Sequence, residues 1–207
     1  HRYRTRSPQV IAAEIAKAKE YFPQIKEFFF DDDTFTDDLK RVEETARLLG
    51  KLGITWSCNA KANVPYETLK IMKENGLRLL LVGYESGNRQ ILINIRKGVS
   101  TDIARRFTAD CHKLGIAIHG TFIVGLPTIE ETIRYAQEIN PHTIQVSLAA
   151  AYPGTRIYAE AQSNNWLRRP AGDVVADNGL QISSLEYPHL SHEEIFEALA
   201  TFYKRFY

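Results

Sequence analysis

Cysteine, net charge and long apolar runs are what this sequence has least of. Its two cysteines, Cys58 and Cys111, lie far apart and in no metal-ligand spacing. That excludes a zinc or iron–sulfur site built from the chain's own thiols. Both are expected to be small buried apolar groups in a reducing compartment. The 26 basic residues meet 25 acidic ones, for a net charge of +1. Nothing there makes the field a nucleic-acid partner needs, and Arg2, Arg4 and Arg6 are too few for a polybasic arm. No apolar run approaches the roughly 18 residues that cross a bilayer, so no transmembrane segment is expected. The opening HRYRTRSP lacks the apolar stretch of a signal peptide. The expected location is the cytoplasm, and a start at His1 suggests a piece of a longer protein.

What is present is an alternation of short β-rich runs with amphipathic helical stretches. Ser7 and Pro8 open a helix as N-cap and first helical residue. The runs 25–31, 54–61, 77–85, 116–125 and 143–149 read as strands. Between them, Thr36, Pro65, Arg89, Thr101 and a Thr128–Glu131 capping box mark helix starts; Gly50, Gly76, Gly98 and Gly115 mark ends. Strand–helix alternation of this regularity implies a parallel α/β sheet. Polar residues at alternate strand positions (Ser57, Asn59, Lys61; His119, Thr121; Gln145, Ser147) favour a sheet curved around a wet hollow. Burying them under helices would be costly. After Thr155 a helix runs to about Trp166, and 168–188 is irregular. A Ser191–Glu194 capping box then opens a final helix. The expected organisation is a barrel segment over 1–155 and a C-terminal helical extension over 156–207.

Sites in parallel α/β folds gather at the C-terminal ends of the strands. There the sequence offers Asp31, Asp32 and Asp33; Asn59 and Lys61; Glu85 and Ser86 within GYESGN; Gly125, Leu126 and Pro127; and AYPGT from Ala151 to Thr155. Aspartates before a helix also serve as caps, and Gly-Leu-Pro and Pro-Gly-Thr are ordinary turn chemistry. Glu85 is harder to dismiss, because a carboxylate ending a run of leucines is expensive unless paired or wetted. Ser86 has no nucleophile-elbow context, and the glycines match neither the phosphate loop nor the dinucleotide fingerprint.

Taken in order, RTRSP, FFFDDDTFTDD, GYESGN with the later IRKG, FIVGLP and YPGT resemble the radical S-adenosylmethionine (SAM) superfamily, and especially its B12-binding class. TWSCNAKANVPYETLK, LRLLLVGYESGN, INPHTIQVSLAA and the tail SHEEIFEALATFYKRFY resemble its hopanoid-biosynthesis branch, associated with the cyclitol ether headgroup. The resemblance implies a partial (β/α)6 TIM-like barrel whose first strand and C-x-x-x-C-x-x-C loop precede His1. It implies SAM and a 4Fe–4S cluster as cofactors, with cobalamin on an upstream domain in the B12 class. A reducing electron donor and a small-molecule or lipid-linked sugar substrate are the implied partners, the lipid allowing membrane association.

By position in the motifs, Asp32 and Asp33 match the approach to the SAM amino group, and Asn59 and Lys61 the carboxylate side. Glu85 and Ser86 match the ribose or methionine contacts, and Gly125 and Tyr152 flank adenine. The chain departs from the pattern in lacking the cluster cysteines. Thr128 also follows Pro127 directly where relatives continue Gly-Glu-Thr, and Ala151 stands where relatives have Pro. Taken alone, the chain is expected to be inactive. Four readings follow: a radical enzyme remodelling a sugar-bearing hopanoid, a cobalamin-dependent radical methyltransferase, a degenerate ligand-binding barrel, and, more weakly, an aldolase-type barrel.

Overall fold

The computed structural model describes residues 5–125, 128–167, 175, 182–188 and 190–207. Its elements run α1 (Pro8–Tyr21), β1 (Glu27–Phe30), α2 (Leu39–Lys51), β2 (Thr55–Ala60), α3 (Tyr66–Glu74), β3 (Leu77–Glu85), α4 (Arg89–Asn94), α5 (Thr101–Leu114), β4 (Ala117–Val124), α6 (Ile129–Ile139), β5 (Thr143–Leu148), α7 (Arg156–Ser163) and α8 (His192–Phe206). The strands form one five-stranded parallel sheet in sequence order, β1-β2-β3-β4-β5. An order in which each strand pairs with its sequence neighbour is what successive βα units give when each crossover helix returns the chain to the next position. No helix among the described residues is long and apolar enough to cross a membrane.

The chain packs as two compact units. The first comprises His1–Gly83, Gly98–Gly120 and Pro141–Thr143. Its core centres on Trp56, Phe35 and Phe30. The Phe30 and Phe35 rings stack at 4.8 Å, and Trp56 meets them at 5.9 and 5.8 Å. The Trp56 indole N–H, which needs an acceptor once buried, donates to the Asn75 carbonyl at 2.8 Å. Val42, Ala46 and Leu49 of α2 and Leu69 and Met72 of α3 are fully buried, at the spacing of one helical face. Asp38, not Thr36, caps α2: its carboxylate accepts from the Arg41 N–H. Thr36 is instead buried. Ser100 caps α5, one residue before the expected Thr101.

The second unit comprises Tyr84–Lys97, Thr121–Asn140 and Ile144–Tyr207. Tyr84 stacks on Phe122 at 5.6 Å, and Phe122 meets Phe202 of α8 at 5.4 Å. The Ser191–Glu194 capping box forms as the sequence indicated. The Thr128–Glu131 box does not. Thr128 adopts φ +106° and makes no side-chain cap, and Glu131 instead accepts a hydrogen bond from the Asn88 side chain at 2.7 Å. A left-handed Thr128 lacks the extended backbone that an N-cap side chain needs to reach back.

β5 ends the strand order, so among the described residues its outer N–H groups face no sixth strand. The Tyr207 hydroxyl accepts from the Ile144 N–H at 3.1 Å and the Tyr203 hydroxyl from the Val146 N–H at 3.0 Å. The last helix therefore satisfies the sheet's exposed donors. Most of 168–188 lies outside the described residues. Within it, Leu185 bridges Leu167, and Tyr187 bridges Leu190.

Candidate functional site

In the first unit, β1 ends in three exposed aspartates. The Asn59 side-chain amide donates to the Asp32 carbonyl at 3.0 Å and to Asp31 Oδ1 at 3.4 Å. The Phe35 N–H donates to the Asn59 carbonyl at 3.1 Å. Asn59 thus ties the acidic loop to the end of β2. Lys61 pairs with Asp37 at 2.7 Å, both half-exposed, an arrangement worth at most about 1 kcal/mol. The Asp32 and Asp33 carboxylates make no hydrogen bond or ion pair among the described residues. They remain available to a cationic group.

Arg41 is a candidate site residue that its sequence context does not bring out. It lies beside the apolar stripe of α2 and is only 8% exposed. Its Nε donates to the Arg6 carbonyl at 3.1 Å, its guanidinium lies 5.3 Å from the Phe35 ring, and its buried Nη1 has no partner. With Asp32, Glu14 and Phe30 it lines a cavity of about 760 Å³. The available signal was a charged residue adjoining Val42 at the margin of a 42, 45, 46, 49 pattern.

In the second unit, Glu85 closes β3 with φ +63°. The left-handed region costs a side-chain-bearing residue about 1–2 kcal/mol, and such strain persists only where its surroundings enforce it. Lys97 pairs with Glu85 at 2.6 Å, both side chains about one-fifth exposed. Ser86 is 1% exposed; its hydroxyl accepts from the Asn88 N–H at 3.1 Å and lies 3.2 Å from the Thr132 hydroxyl. That hydroxyl is already used to fix the loop. Gly87 passes against α6, where an added Cβ would fall 2.6 Å from both the Glu131 carbonyl oxygen and the Tyr135 Cβ. Gly87→Ala is therefore expected to cost about 1–3 kcal/mol in urea denaturation, as overpacking against backbone does.

Gly125 has φ +94°, and a Cβ there would approach Ile195 Cγ2 at 3.2 Å. Tyr152 is half-exposed, its carbonyl held by the Thr155 hydroxyl at 2.6 Å. Asp32, Asp33, Asn59 and Lys61 thus share one unit, and Glu85, Ser86, Gly125 and Tyr152 the other. Leu126 and Pro127 lie outside the described residues.

The residues present do not suit an iron–sulfur cluster. Such a cluster is held by several thiolates, and the chain's two cysteines are both buried. Burial, reinforced by the nearby Asp110 charge, pushes the Cys111 thiol up to about 12, and burial beside Asp32 raises Cys58 further. Among the described residues no group of three or more potential ligands could hold a metal ion.

A raised folded value means Cys111 adds stability that is complete below the unfolded thiol's value of about 8.5 and is lost as pH climbs towards 12. At pH 8 a thiol reagent such as Ellman's should label neither cysteine in the folded protein, and both in urea. Fast labelling of the folded protein would contradict this burial.

Residues 1–150 match the profile of the radical SAM superfamily. The chain is 30% identical to an uncharacterized methyltransferase of Pyrococcus horikoshii, over 100% of this chain and 46% of that protein. It is 26% identical to the cytidylyl-2-hydroxyethylphosphonate methyltransferase of Streptomyces wedmorensis, over 76% of this chain and 32% of that protein. The chain therefore spans less than half the length of these curated relatives.

Among solved structures it resembles the radical SAM methyltransferase of Kitasatospora setae in two states. With tryptophan and a SAM analogue bound, the TM-score is 0.78 at 14% identity, over 99% of this chain and 47% of that one. With cobalamin and a 4Fe–4S cluster bound, it is 0.69 at 15%, over 94% and 38%. This bears out the partial-barrel architecture. None of these relatives is described as acting on a hopanoid, so the expected hopanoid branch gains no support. The parallel sheet, the motif-bearing strand ends and the match over residues 1–150 lead to one conclusion: the chain belongs to the radical SAM superfamily.

Proposed function

We propose that the protein carrying this chain is a cobalamin-dependent radical SAM methyltransferase. The observation that carries the reading is that both curated relatives named above are methyltransferases, one of them aligned along the entire chain. Cobalamin enters from the Kitasatospora enzyme, a relative in fold. SAM, when bound, supplies a methyl group or, on reductive cleavage, a 5′-deoxyadenosyl radical.

Each unit by itself offers groups suited to part of that molecule. The unengaged carboxylates of Asp32 and Asp33 suit its ammonium group, and Asn59 fixes the loop that carries them. Lys61 stands on the carboxylate side, balanced by Asp37. Glu85, held by Lys97, presents acceptors for ribose hydroxyls, while Ser86 acts on the loop behind it. The exposed Tyr152 ring and the side-chain-free Gly125 offer an adenine surface. The cluster's thiolates would come from outside these residues, and the methyl acceptor would be a small molecule.

The test uses the intact protein, anaerobically reconstituted with iron, sulfide, cobalamin and a reductant, and SAM carrying a trideuteromethyl group. Methyl transfer leaves S-adenosylhomocysteine and moves the label away from sulfur. Formation of both supports the proposal. Methionine and 5′-deoxyadenosine alone, with no label transferred, would sink it and favour a radical remodelling reaction such as the hopanoid one.

A further inference from the structure

Within the second unit, the helices that follow β3 and β5 border an open cavity of about 710 Å³. This lies in the roughly 300–1,000 Å³ range of small-molecule sites. Ile91 and Ile95 line one side, Ile157 of α7 another, and the Trp166 and Tyr187 rings, 5.2 Å apart and inclined at 60°, form an aromatic wall. Most polar groups at its border are committed. Gln90 and Asn94 bond each other at 3.0 Å, and the Asn88 side chain is divided between Glu131 and the Ile91 N–H.

Among the described residues, the buried Thr128 hydroxyl and two groups of opposite charge are not. Arg156 and Glu160 both border the cavity, one turn apart on α7. Arg156 makes no hydrogen bond or ion pair among the described residues, with Glu160 or with any other group. Arginine four residues before glutamate is the weaker order for pairing along a helix. The Glu160 charge is felt at Tyr187, whose hydroxyl is pushed up to about 12 by burial first and by that carboxylate second. Tyr187 therefore stays a neutral donor.

We infer that this cavity binds a planar aromatic ligand bearing neighbouring cationic and anionic groups, of the kind an α-amino acid head supplies. The ring lies against Trp166 and Tyr187, the anion meets Arg156 and the cation meets Glu160. An apolar wall supplies most of the binding energy, and two opposed fixed charges set the orientation, which a singly charged analogue satisfies only in part. The volume leaves room for a ring system larger than a free amino acid. The inference rests on the methyltransferase reading only in naming this ligand the methyl acceptor; the binding itself does not depend on it.

The experiment measures binding of L-tryptophan, as a probe, to the intact protein by isothermal titration and ligand-observed NMR. No SAM, cluster reductant or turnover is involved. Tryptamine and indole-3-propionate serve as its two singly charged analogues. L-tryptophan should bind in one saturable class, at least about tenfold more tightly than either analogue. Arg156→Met should abolish the preference over tryptamine, and Glu160→Gln the preference over indole-3-propionate. Both positions are exposed, and circular dichroism checks each variant's fold; Trp166→Phe, which should weaken all three probes alike, provides an independent variant. Absence of saturable binding, or preferences unchanged in both charge variants, overturns the assignment. Binding as described with no methyl transfer would remove the methyltransferase reading and leave the cavity's specificity standing.

Discussion

Glu85→Gly is expected to leave the protein nearly as stable as before and, on the proposed SAM-binding role of Glu85, to lower turnover by about 100-fold or more. At φ +63° the glutamate backbone is strained, and glycine releases about 1–2 kcal/mol of that strain. The loss of the Lys97 pair offsets the gain, because both side chains are largely withdrawn from water. A carboxylate that orients a bound cofactor, once removed, forfeits transition-state stabilisation of the size that single polar groups in closed sites supply, about 10²–10³ in rate. Glu85→Gln keeps the strain and the shape, so it should lose activity without the compensating relief in stability. Thermal denaturation and turnover of the intact protein, run on both variants, check the pattern. Unchanged turnover in both would reduce Glu85 to a partner for Lys97.

The second large effect is on folding. Trp56→Ala should destabilise the first unit by about 3–5 kcal/mol, the range for emptying a buried aromatic site. Trp56 is fully buried against the stacked Phe30 and Phe35 rings, so its removal opens a cavity that both rings border. It also strands the Asn75 carbonyl that accepted the indole N–H. Trp56→Phe retains much of the volume and should recover more than half of the loss, leaving mainly the missing hydrogen bond. Guanidinium titration monitored by far-ultraviolet circular dichroism separates the two.

The strands were legible because their runs are short and apolar, those of β2, β3 and β4 each preceded by a glycine, and packing had no alternative use for them. Helix starts were less so. Thr36 and Asp38 both carry capping oxygens, and local pattern does not decide between them; the structure buries Thr36 and leaves Asp38 at the helix mouth. The Thr128–Glu131 spacing satisfied the capping-box rule, yet the backbone at Thr128 is left-handed and the Asn88 side chain claims Glu131. Such competition from a residue 43 positions away leaves no trace in a local window. Among candidate site residues, Glu85 could be found because a charge closes an apolar run. Arg41 was hidden for the converse reason: arginine is ordinary on an amphipathic helix, and only burial makes it unusual. Ser86 carried the right motif, but its hydroxyl faces inward to Thr132, a direction that alternation along a strand does not extend to the residue after it.

The two tyrosines that accept from Ile144 and Val146 have a further consequence. Strand carbonyls can accept from any amide, whereas a phenol oxygen set there blocks the border of the sheet without offering a template that another chain could extend. Exchanging both for phenylalanine would keep the rings in place and erase only that block. The visible outcome would then be concentration-dependent self-association more than any fall in melting temperature.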